Sequence, residues 1–503
     1  TRQKEQAEIV KRSLTFENGK YTAAYPYNGL LSQLATNEQP CMRMMKSLEI
    51  KLKKEGLTQA FNENVADFMS RGVIKWTSDV PGIENMQKSY VPLTYALRSG
   101  AGVTTKLRIC GNSSFKTHSG VSLNDCMIPG PKYLNSIEGI LLRFRVANQI
   151  ALGDIKNCYH KISSGPRDAS LRRIFIRPEG MGVETSAWRE ACFDAVSFGD
   201  VLGGATAGAA ITDCGERFIT SPTRKVLQDS IYMDDLMLAA AEKIDNMIKE
   251  VDQGLKKGNF VVKEWVKTGD HSDTKFLSYT YHALTDTFSA RPKINWSPKK
   301  RGVQISADCK SIAEVKSMAE LYGLTKRTVA SILMGTIHDP LGFFLPYVNN
   351  LKLVYRDICR QGTEWDKPIS ENMKLRVMDA LNFFVGIENV QFHRKAIFHE
   401  ATKVTFKIFF DGSLQAIGVS VVCLSVLPNG KKIYRLLCNK GKILGNDVNT
   451  APRSELCACL ISSRVYTLIM EQLKDFLEKF QGKVEFQILG DSLIVLNQIK
   501  RNS

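Results

Sequence analysis

Two acidic residues, Asp234 and Asp235, stand side by side between apolar segments in residues 230–238. Apolar flanks around a short polar tip are typical of two strands joined by a turn, which predicts a β-hairpin with the acids at its tip. Adjacent carboxylates repel each other, so the pair gains no stability from itself. Two interpretations follow: a divalent cation holds the pair together for catalysis, or the pair is a solvated Asp-Asp turn.

A further acid, Asp154, ends the apolar run 149–154 and is followed five residues later by Tyr159. Phosphoryl transfer with two metal ions needs carboxylates from different strands, which hold the ions about 3.5–4 Å apart. One ion activates the attacking 3′-hydroxyl, and both support the leaving pyrophosphate. Asp154, Asp234 and Asp235 could form such a site. The ring of Tyr159 could then lie under the sugar and exclude a 2′-hydroxyl, and an ordinary core tyrosine is the alternative.

A separate set of acids occurs near the end of the sequence, in the order strand, helix, strand. Asp411 ends the alternating run 403–411, Glu455 lies at the start of a predicted helix, and Asp491 follows the strand-like residues 487–490. Each acid alone is typical of a surface charge or a helix cap. The three together resemble the acids of the ribonuclease H fold, which hold two Mg²⁺ ions against the RNA strand of a hybrid.

The elements that must position these residues form a mixed helical and strand pattern. The pattern predicts two helices within 42–74, strand-like runs at 106–112, 149–154 and 226–238, helices within 325–360 around a break at 339–342, a new β-sheet from 404–426, and a helix over 454–480. The change to a fresh sheet after a polar stretch predicts a domain boundary near residue 400. A chain of 503 residues is also long enough for about three domains.

The composition favours a nucleic-acid partner. Lys and Arg number 68 against 51 Asp and Glu, a net charge of +17 that suits a row of phosphates, although a merely basic surface is the alternative. The twelve cysteines form no CxxC pair, so we interpret them as reduced thiols of a cytosolic protein and not as zinc ligands. We expect no membrane-spanning segment and no secretion signal, and we expect the chain to be a segment of a longer product.

Several motifs, in this order, resemble the reverse transcriptases, and more closely the polymerase of BEL/Pao-type long-terminal-repeat retrotransposons. They are YMDD at 232–235, the basic strand at 106–108, SLND at 122–125 with PGP at 129–131, ILLRFR at 140–145, Thr325–Arg327, DPLG at 339–342 and Trp365-Asp366. The resemblance extends from about Tyr21 to the end of the chain.

The resemblance implies an α+β fold with two parts: a right-hand polymerase and a ribonuclease H-like domain. Fingers and palm would occupy 1–295, a thumb or connection-like helical region 296–400, and the ribonuclease H-like domain 401–503, with a fourth acid beyond Ser503. The implied activities are RNA-directed DNA synthesis and cleavage of the RNA strand of the hybrid. The implied partners are an RNA template, a DNA primer, RNA–DNA hybrid and dNTPs, with protease and integrase segments in the same polyprotein, inside cytoplasmic virus-like particles.

The resemblance also assigns roles to individual residues. The catalytic and metal-binding acids would be Asp154, Asp234 and Asp235 in the polymerase and Asp411, Glu455 and Asp491 in the ribonuclease H-like domain, with two Mg²⁺ ions per site or Mn²⁺ in their place. Lys106 and Arg108 would contact the triphosphate, Tyr159 would be the steric gate, and Phe198 with Gly199 would pack on the nascent base pair. Solvated strand residues are the alternative for Lys106 and Arg108.

The sequence departs from the family pattern in three segments, at four residues. Gly203 and Gly204 stand where a Ser-Pro pair is usual, Asn112 replaces an Asp, and Ser278 replaces a Gly in the segment 275–278, which resembles the primer-grip hairpin. The glycines favour one alternative, a domesticated and catalytically silent protein that binds nucleic acid or assembles particles. A replicative polymerase of another element class is a second alternative, but it leaves the C-terminal acids unexplained.

Overall fold

The computed structural model describes residues 2–97, 107–131, 134–241, 244–297, 306–307, 309–335, 338–445, 448 and 450–501. The chain divides into two compact units. Unit 1 comprises Thr1–Leu134, Asp154–Leu236 and Asn246–Glu264, and unit 2 comprises Asn135–Gly153, Met237–Asp245 and Trp265–Ser503. Among the described residues, none of the helices combines the length and the apolar character needed to cross a membrane.

The helices are distributed along the whole chain. They are α1 (Arg2–Arg12), α2 (Glu38–Lys54), α3 (Thr58–Ser70), α4 (Leu123–Cys126), α5 (Ile137–Val146), α6 (Pro166–Ser170), α7 (Gly203–Phe218), α8 (Ser221–Ser230), α9 (Ile244–Lys257), α10 (Ile312–Tyr322), α11 (Lys326–Gly335), α12 (Leu345–Arg360), α13 (Glu371–Asn382), α14 (Ala451–Gln472), α15 (Lys474–Lys479) and α16 (Leu493–Arg501).

The strands alternate with these helices, which gives the mixed α and β content predicted from the sequence. They are β1 (Leu14–Glu17), β2 (Lys20–Ala23), β3 (Ile74–Trp76), β4 (Leu93–Leu97), β5 (Leu107–Gly111), β6 (Gln149–Ile155), β7 (Ile162–Ser164), β8 (Arg173–Ile176), β9 (Arg189–Phe193), β10 (Ile231–Tyr232), β11 (Asp235–Ala240), β12 (Val262–Lys267), β13 (Asp273–Phe276), β14 (Tyr279–His282), β15 (Thr287–Ala290), β16 (Ile294–Asn295), β17 (Ser306–Ala307), β18 (Gln391–His393), β19 (Lys403–Gly412), β20 (Ala416–Val426), β21 (Lys432–Ile443) and β22 (Lys483–Leu489).

Unit 1 is built around small sheets with helices packed against them. Its sheets have the strand orders β1-β2-β7, β3-β9-β8 and β4-β5. The helices α2 and α3 place Met45, Leu52, Phe61 and Phe68 in one buried cluster with residues of β3, β5, β8 and β9. Because these side chains recur at intervals of seven residues, they fall on one face of each helix. The two predicted helices in 42–74 are therefore confirmed.

One predicted strand begins too early. Residues 226–230 were expected to continue the strand-like run, but they form the last turns of α8, and the strand starts only at Ile231. The Pro222 at the start of α8 fixes the first helical turn, and the two apolar residues Val226 and Leu227 are too few to distinguish a strand from a helix. Beyond that helix, the strands form a sheet in the order β10-β11-β6-β12.

Unit 2 contains two larger sheets. The first has the order β13-β14-β15-β18, and the second has the order β21-β20-β19-β22, in which β22 runs parallel to β19 and the other pairs are antiparallel. The helix α14 packs against β19 and β20, and the alternating buried residues of β19 are Val404, Phe406 and Ile408. The boundary predicted near residue 400 falls between β18 and β19, which belong to different sheets.

Two buried arginines connect the helix α5 with the sheets of unit 2. Arg145 is 1% exposed and donates hydrogen bonds to the carbonyl oxygens of His393, Arg394 and Leu436. Arg394 is fully buried, donates to the carbonyl oxygens of Phe144 and Ala147 at 2.7 Å, and pairs with Asp286. Carbonyl oxygens satisfy most of the guanidinium donors but carry no net charge. Among the described residues, Asp286 is the carboxylate that pairs with Arg394, so it balances much of the buried charge.

We expect Asp286→Asn to destabilise unit 2 strongly. Asp286 accepts from Arg394 at 2.5 and 3.0 Å, and its loss leaves a buried cation without its counter-charge. The expected loss is about 3 kcal/mol of unfolding free energy, measured by urea titration. Asn tolerates the positive φ of +50° at this position, so the change tests the charge and not the turn.

The matched control is Asp273→Asn in the same sheet. Its carboxylate also has a partner, His282 at 2.8 Å, but its side chain is 60% exposed. Exposed pairs of this kind contribute about 0–1 kcal/mol, so the control variant should stay close to the parent. Equal losses in the two variants would contradict the assignment of Asp286 as the essential counter-charge.

Candidate catalytic sites

The first candidate site lies where β6 meets the β10–β11 hairpin. The N–H of Ile155, next to Asp154, donates to the carbonyl oxygen of Asp234 at 2.9 Å, so the structure brings these two acids to neighbouring backbone positions. Asp235 begins β11 opposite Tyr232. The hairpin tip contains Met233 at φ +57°, a conformation that a non-glycine residue adopts at a cost, and such strain is concentrated at functional sites.

The electrostatics of this site favour a cation. Burial raises the pKa of the Asp234 carboxyl, and the neighbouring Asp154 carboxylate raises it further, while Lys263 and Arg108 act in the opposite direction. Lys263 on β12 forms an ion pair with Asp154. Two carboxylates this close repel each other, and a bound divalent cation would offset that cost.

Cys158 lies close to both acids but is a poor ligand. Its side chain is buried, and burial raises the pKa of its thiol, with further increases from Asp234 and Asp154. The group is therefore a neutral thiol, whereas metal ligands need the thiolate.

Tyr159 lies against the beginning of α7. A Cβ atom at Gly203 would be 3.2 Å from Cε1 of the Tyr159 ring, and a Cβ atom at Gly204 would be 3.4 Å from its hydroxyl. The ring also packs on Phe198 with a centroid distance of 4.8 Å. The two glycines that depart from the family pattern are thus the residues on which the tyrosine rests, and the lack of a side chain at Gly203 gives the ring its space.

Arg108 on β5 faces the same site. Its guanidinium lies 4.7 Å from the centroid of the Phe198 ring, within the range of a cation–π contact. Burial raises the pKa values of Asp234 and Tyr159, and the nearby charge of Arg108 acts in the opposite direction on both groups. Lys106, predicted to act with Arg108, lies outside the described residues.

The backbone at Gly199 admits no side chain. A Cβ atom there would lie 1.8 Å from the carbonyl oxygen of Gly111, at the end of the strand that carries Arg108. The neighbouring His160 packs edge-on against Phe198 at 5.2 Å, and burial followed by the charges of Arg71 and Arg108 lowers the pKa of its imidazole to about 3. His160 is therefore a neutral packing residue and adds no charge to the site.

The second candidate site belongs to unit 2. The carboxylate oxygens of Asp411, Glu455 and Asp491 all lie within 4.8 Å of one another. Asp411 is on β19, Glu455 is in the first turns of α14, and Asp491 follows β22. The helix start approaches the strand end so closely that a Cβ atom at Gly412 would lie 2.8 Å from the backbone nitrogen of Glu455. The order strand, helix, strand predicted from the sequence thus becomes one cluster.

This cluster fits a divalent cation. Burial raises the pKa of the Glu455 carboxyl, and Asp411 and then Asp491 raise it further. The Oε2 atom of Glu455 is buried and has no hydrogen-bond partner among the described residues. Oxygen-only donor sets of this kind suit hard cations such as Mg²⁺. A divalent cation at this position would give the orphaned oxygen a partner and reduce the repulsion among the three carboxylates.

The third departure from the family pattern, Ser278, also has a structural account. Leu277 and Ser278 form the tip of the β13–β14 hairpin at φ +43° and +90°, and the second value favours glycine. The hydroxyl of Ser278 lies 2.7 Å from Nδ1 of His338, and the hydroxyl of Tyr279 donates to Asp339 at 2.7 Å. Polar contacts on both sides of the tip thus hold a serine where a glycine is usual.

Sequence reasoning missed two contributors to the first site. Lys263 follows the apolar run 260–262 and looks like any lysine at the start of a strand, so no local signal indicates its pairing with Asp154. Asn124 was identified only as part of a motif, although its side chain contacts the segment after Phe198.

Comparison with known proteins gives one family match. Residues 325–482 match the family model described as the Pao retrotransposon-like RNaseH-like domain. A search of the curated proteins finds no match.

Two similar solved structures are of a foamy viral protease-reverse transcriptase, each at 12% sequence identity with a TM-score of 0.48. The match to the structure described as dRH in complex with ds DNA covers 86% of this chain and 62% of the solved chain. The match to the structure in complex with RNA/DNA hybrid covers 87% of this chain and 49% of the solved chain. The chain thus spans less than two thirds of either solved protein.

The family match itself includes Asp411 and Glu455 of the second site, with Asp491 just beyond its end. The expected resemblance to BEL/Pao elements is therefore confirmed for residues 325–482, which are similar to the Pao retrotransposon-like RNaseH-like domain.

Proposed function

We propose that the chain is the RNA-directed DNA polymerase of a retroelement and that its second site cleaves the RNA strand of the RNA–DNA hybrid. One observation carries the polymerase assignment: Asp154 on β6 and Asp234 in the turn of the β10–β11 hairpin lie at neighbouring positions, with Tyr159 and Arg108 beside them. Phosphoryl transfer depends on positioned carboxylates and cations more than on covalent chemistry by the protein. The order of parts in the proposal is fingers and palm, thumb, and ribonuclease H-like domain.

The residues of the first site divide the work of nucleotide addition. Asp154, Asp234 and Asp235 would hold two Mg²⁺ ions, and the bound ions would supply activation of the 3′-hydroxyl and charge neutralisation for pyrophosphate. Arg108 presents a planar guanidinium that suits triphosphate oxygens, and Phe198 holds it by its ring face. Tyr159 packs against the start of α7, and its ring would exclude a 2′-hydroxyl on the sugar. Before a metal ion binds, Lys263 would balance the charge of Asp154.

The second site would act on the hybrid that the first one makes. Asp411, Glu455 and Asp491 converge from three elements, and the family match includes the first two of these acids. Mg²⁺ held by the three acids would activate water for attack on a phosphodiester of the RNA strand. RNA template, DNA primer, hybrid and dNTPs are the proposed partners, and cytoplasmic particles the proposed location.

The alternative of a catalytically silent protein loses part of its support. It was favoured by Gly203 and Gly204, and the contact of α7 with the Tyr159 ring accounts for the first of these glycines, where a Cβ atom would lie 3.2 Å from the ring. The proximity of Asp154 to Asp234, and the cluster of Asp411, Glu455 and Asp491, support the catalytic proposal instead. A primer-extension assay with homopolymer RNA, a DNA primer, dNTPs and Mg²⁺ tests the proposal, and a parent protein without extension activity would contradict it.

The two activities should be separable by single substitutions. We expect Asp234→Asn to abolish primer extension and to leave template-primer binding nearly unchanged, because the lost charge serves the cation and not the fold. We expect Asp491→Asn to stop cleavage of the RNA strand and to spare primer extension. Each variant is the control for the other, and loss of both activities in either variant would show that the metal centres are not independent.

Tyr159→Val should weaken discrimination against ribonucleotides. The smaller side chain leaves room for the 2′-hydroxyl, and the ratio of ribonucleotide to deoxyribonucleotide incorporation should rise by a factor on the order of 10². Tyr159→Phe keeps the ring and should keep the parent ratio. If the Val variant folds, extends primers and retains the parent selectivity, Tyr159 does not contact the sugar.

Glu455→Gln should remove metal binding at the second site and stabilise the metal-free protein. Since the pKa of Glu455 is raised, its ionised form is costly in the folded state, and the parent should gain stability as the pH falls through that raised pKa. The Gln variant should lack this pH dependence and should bind fewer Mn²⁺ ions by calorimetric titration.

The control for this variant is Glu485→Gln in the same sheet. Lys403 and Lys483 lower the pKa of the Glu485 carboxyl to about 2, the reverse of the environment of Glu455. This control should bind the parent number of Mn²⁺ ions. An unchanged number of bound Mn²⁺ ions in Glu455→Gln would exclude the carboxylate cluster as a cation site.

A further inference from the structure

The segment from Phe198 to Val201, here called the 198–201 loop, is held by a side chain from another element. Asn124 on α4 donates from Nδ2 to the carbonyl oxygen of Gly199 at 3.0 Å, and its Oδ1 accepts from the N–H of Val201 at 2.9 Å. The same Nδ2 also donates to the hydroxyl of Ser114 at 2.9 Å. One amide thus contacts the backbone of the loop at two points, on both sides of Asp200.

The opposite side of the loop is fixed by a buried ion pair. Asp200 accepts from Arg172 at 2.9 Å, and both side chains are almost fully buried, at 0% and 1% exposed. Tyr25 and Ser113 donate to the same carboxylate at 3.1 and 2.6 Å. The buried contacts of Asp200 therefore anchor the loop to the protein interior. The hydrogen bonds of Asn124 fix the orientation of the peptide groups at Gly199 and Val201, on either side of Asp200.

The orientation of these peptide groups controls Phe198. The carbonyl group of Gly199 follows directly from the residue whose ring touches both Arg108 and Tyr159. The Gly199 backbone is also in contact with Gly111, so it has little freedom to compensate for a lost hydrogen bond by moving inward. A rotation of the loop would move the aromatic ring, and the guanidinium and the tyrosine that rest on it would move too.

We infer that Asn124 is a positioning residue for nucleotide selection, which acts through the 198–201 loop on Phe198, Arg108 and Tyr159. The inference rests on the proposed polymerase function and adds to it a residue that contacts none of the reacting groups. Its role is to keep one ring in place, so its loss should affect the affinity for the incoming nucleotide and the discrimination of its sugar more than the chemical step or the binding of template-primer.

The test is steady-state primer extension by Asn124→Ala. We expect the KM for dNTP to rise about tenfold, the loss expected for a pair of backbone hydrogen bonds, with a much smaller change in kcat. The ratio of ribonucleotide to deoxyribonucleotide incorporation should rise as well. The affinity for template-primer should stay within about twofold of the parent, since no phosphate contact is removed.

Two controls separate positioning from general stability. Asn62 on α3 holds another loop in the same way, donating to the carbonyl oxygen of Met181 at 3.1 Å and accepting from its N–H at 2.8 Å. Asn62→Ala should lower the melting temperature as Asn124→Ala does and leave the KM for dNTP unchanged. Ser114→Ala removes only the third partner of Asn124 and should behave like the parent.

Asn124→Asp covers the case in which the Ala variant does not fold. This isosteric change keeps the acceptor for Val201 and loses the donor to Gly199, so the KM should again rise and the sugar discrimination fall.

A folded Asn124 variant with the parent KM and sugar ratio would overturn the inference and leave the proposed function intact. An equal rise in KM for Asn62→Ala would also overturn it, because general loosening would then be the cause. A parent protein that does not extend primers would overturn the proposed function and the inference together.

Discussion

Repulsion between carboxylates is the constraint on which both candidate sites depend. Asp154 lies close enough to Asp234 in unit 1, and Asp411 and Asp491 lie close enough to Glu455 in unit 2, to raise the pKa values of Asp234 and Glu455. A protein without a use for cations gains nothing from such clusters, because each acid would be more stable apart in water. The surrounding structure therefore has to hold the carboxylates close together, and each site has local features that do so.

Enforcement takes a different form in each unit. In unit 1 the hairpin tip adopts a strained conformation at Met233, and Lys263 supplies a counter-charge to Asp154. In unit 2 the start of α14 lies directly on the end of β19, an approach that only a glycine at position 412 allows.

The sequence predicts the acids and their strands well because these depend on local patterns. Apolar alternation locates β19 and β20, and the turn-forming residues at 339–342 separate α11 from α12, as the structure confirms. Residues 226–230 were wrongly assigned to a strand, because two apolar residues carry no periodicity. The partners Lys263, Asn124 and Asp286 could not be predicted, since their roles depend on contacts between segments distant in sequence. The same holds for Arg145, whose burial next to α5 contradicts the usual exposure of charged residues.

The buried thiol of Cys158 gives the first site a built-in chemical reporter. Its side chain is 3% exposed and lies beside the acids in a short turn that also carries Tyr159. Alkylating reagents react with an exposed thiolate. In this structure the Cys158 thiol is buried and protonated, so it should react slowly. The rate at which Cys158 becomes labelled would therefore measure how often this turn opens, independently of catalysis, and occupancy of the site by nucleotide or metal would appear as protection of one sulfur atom.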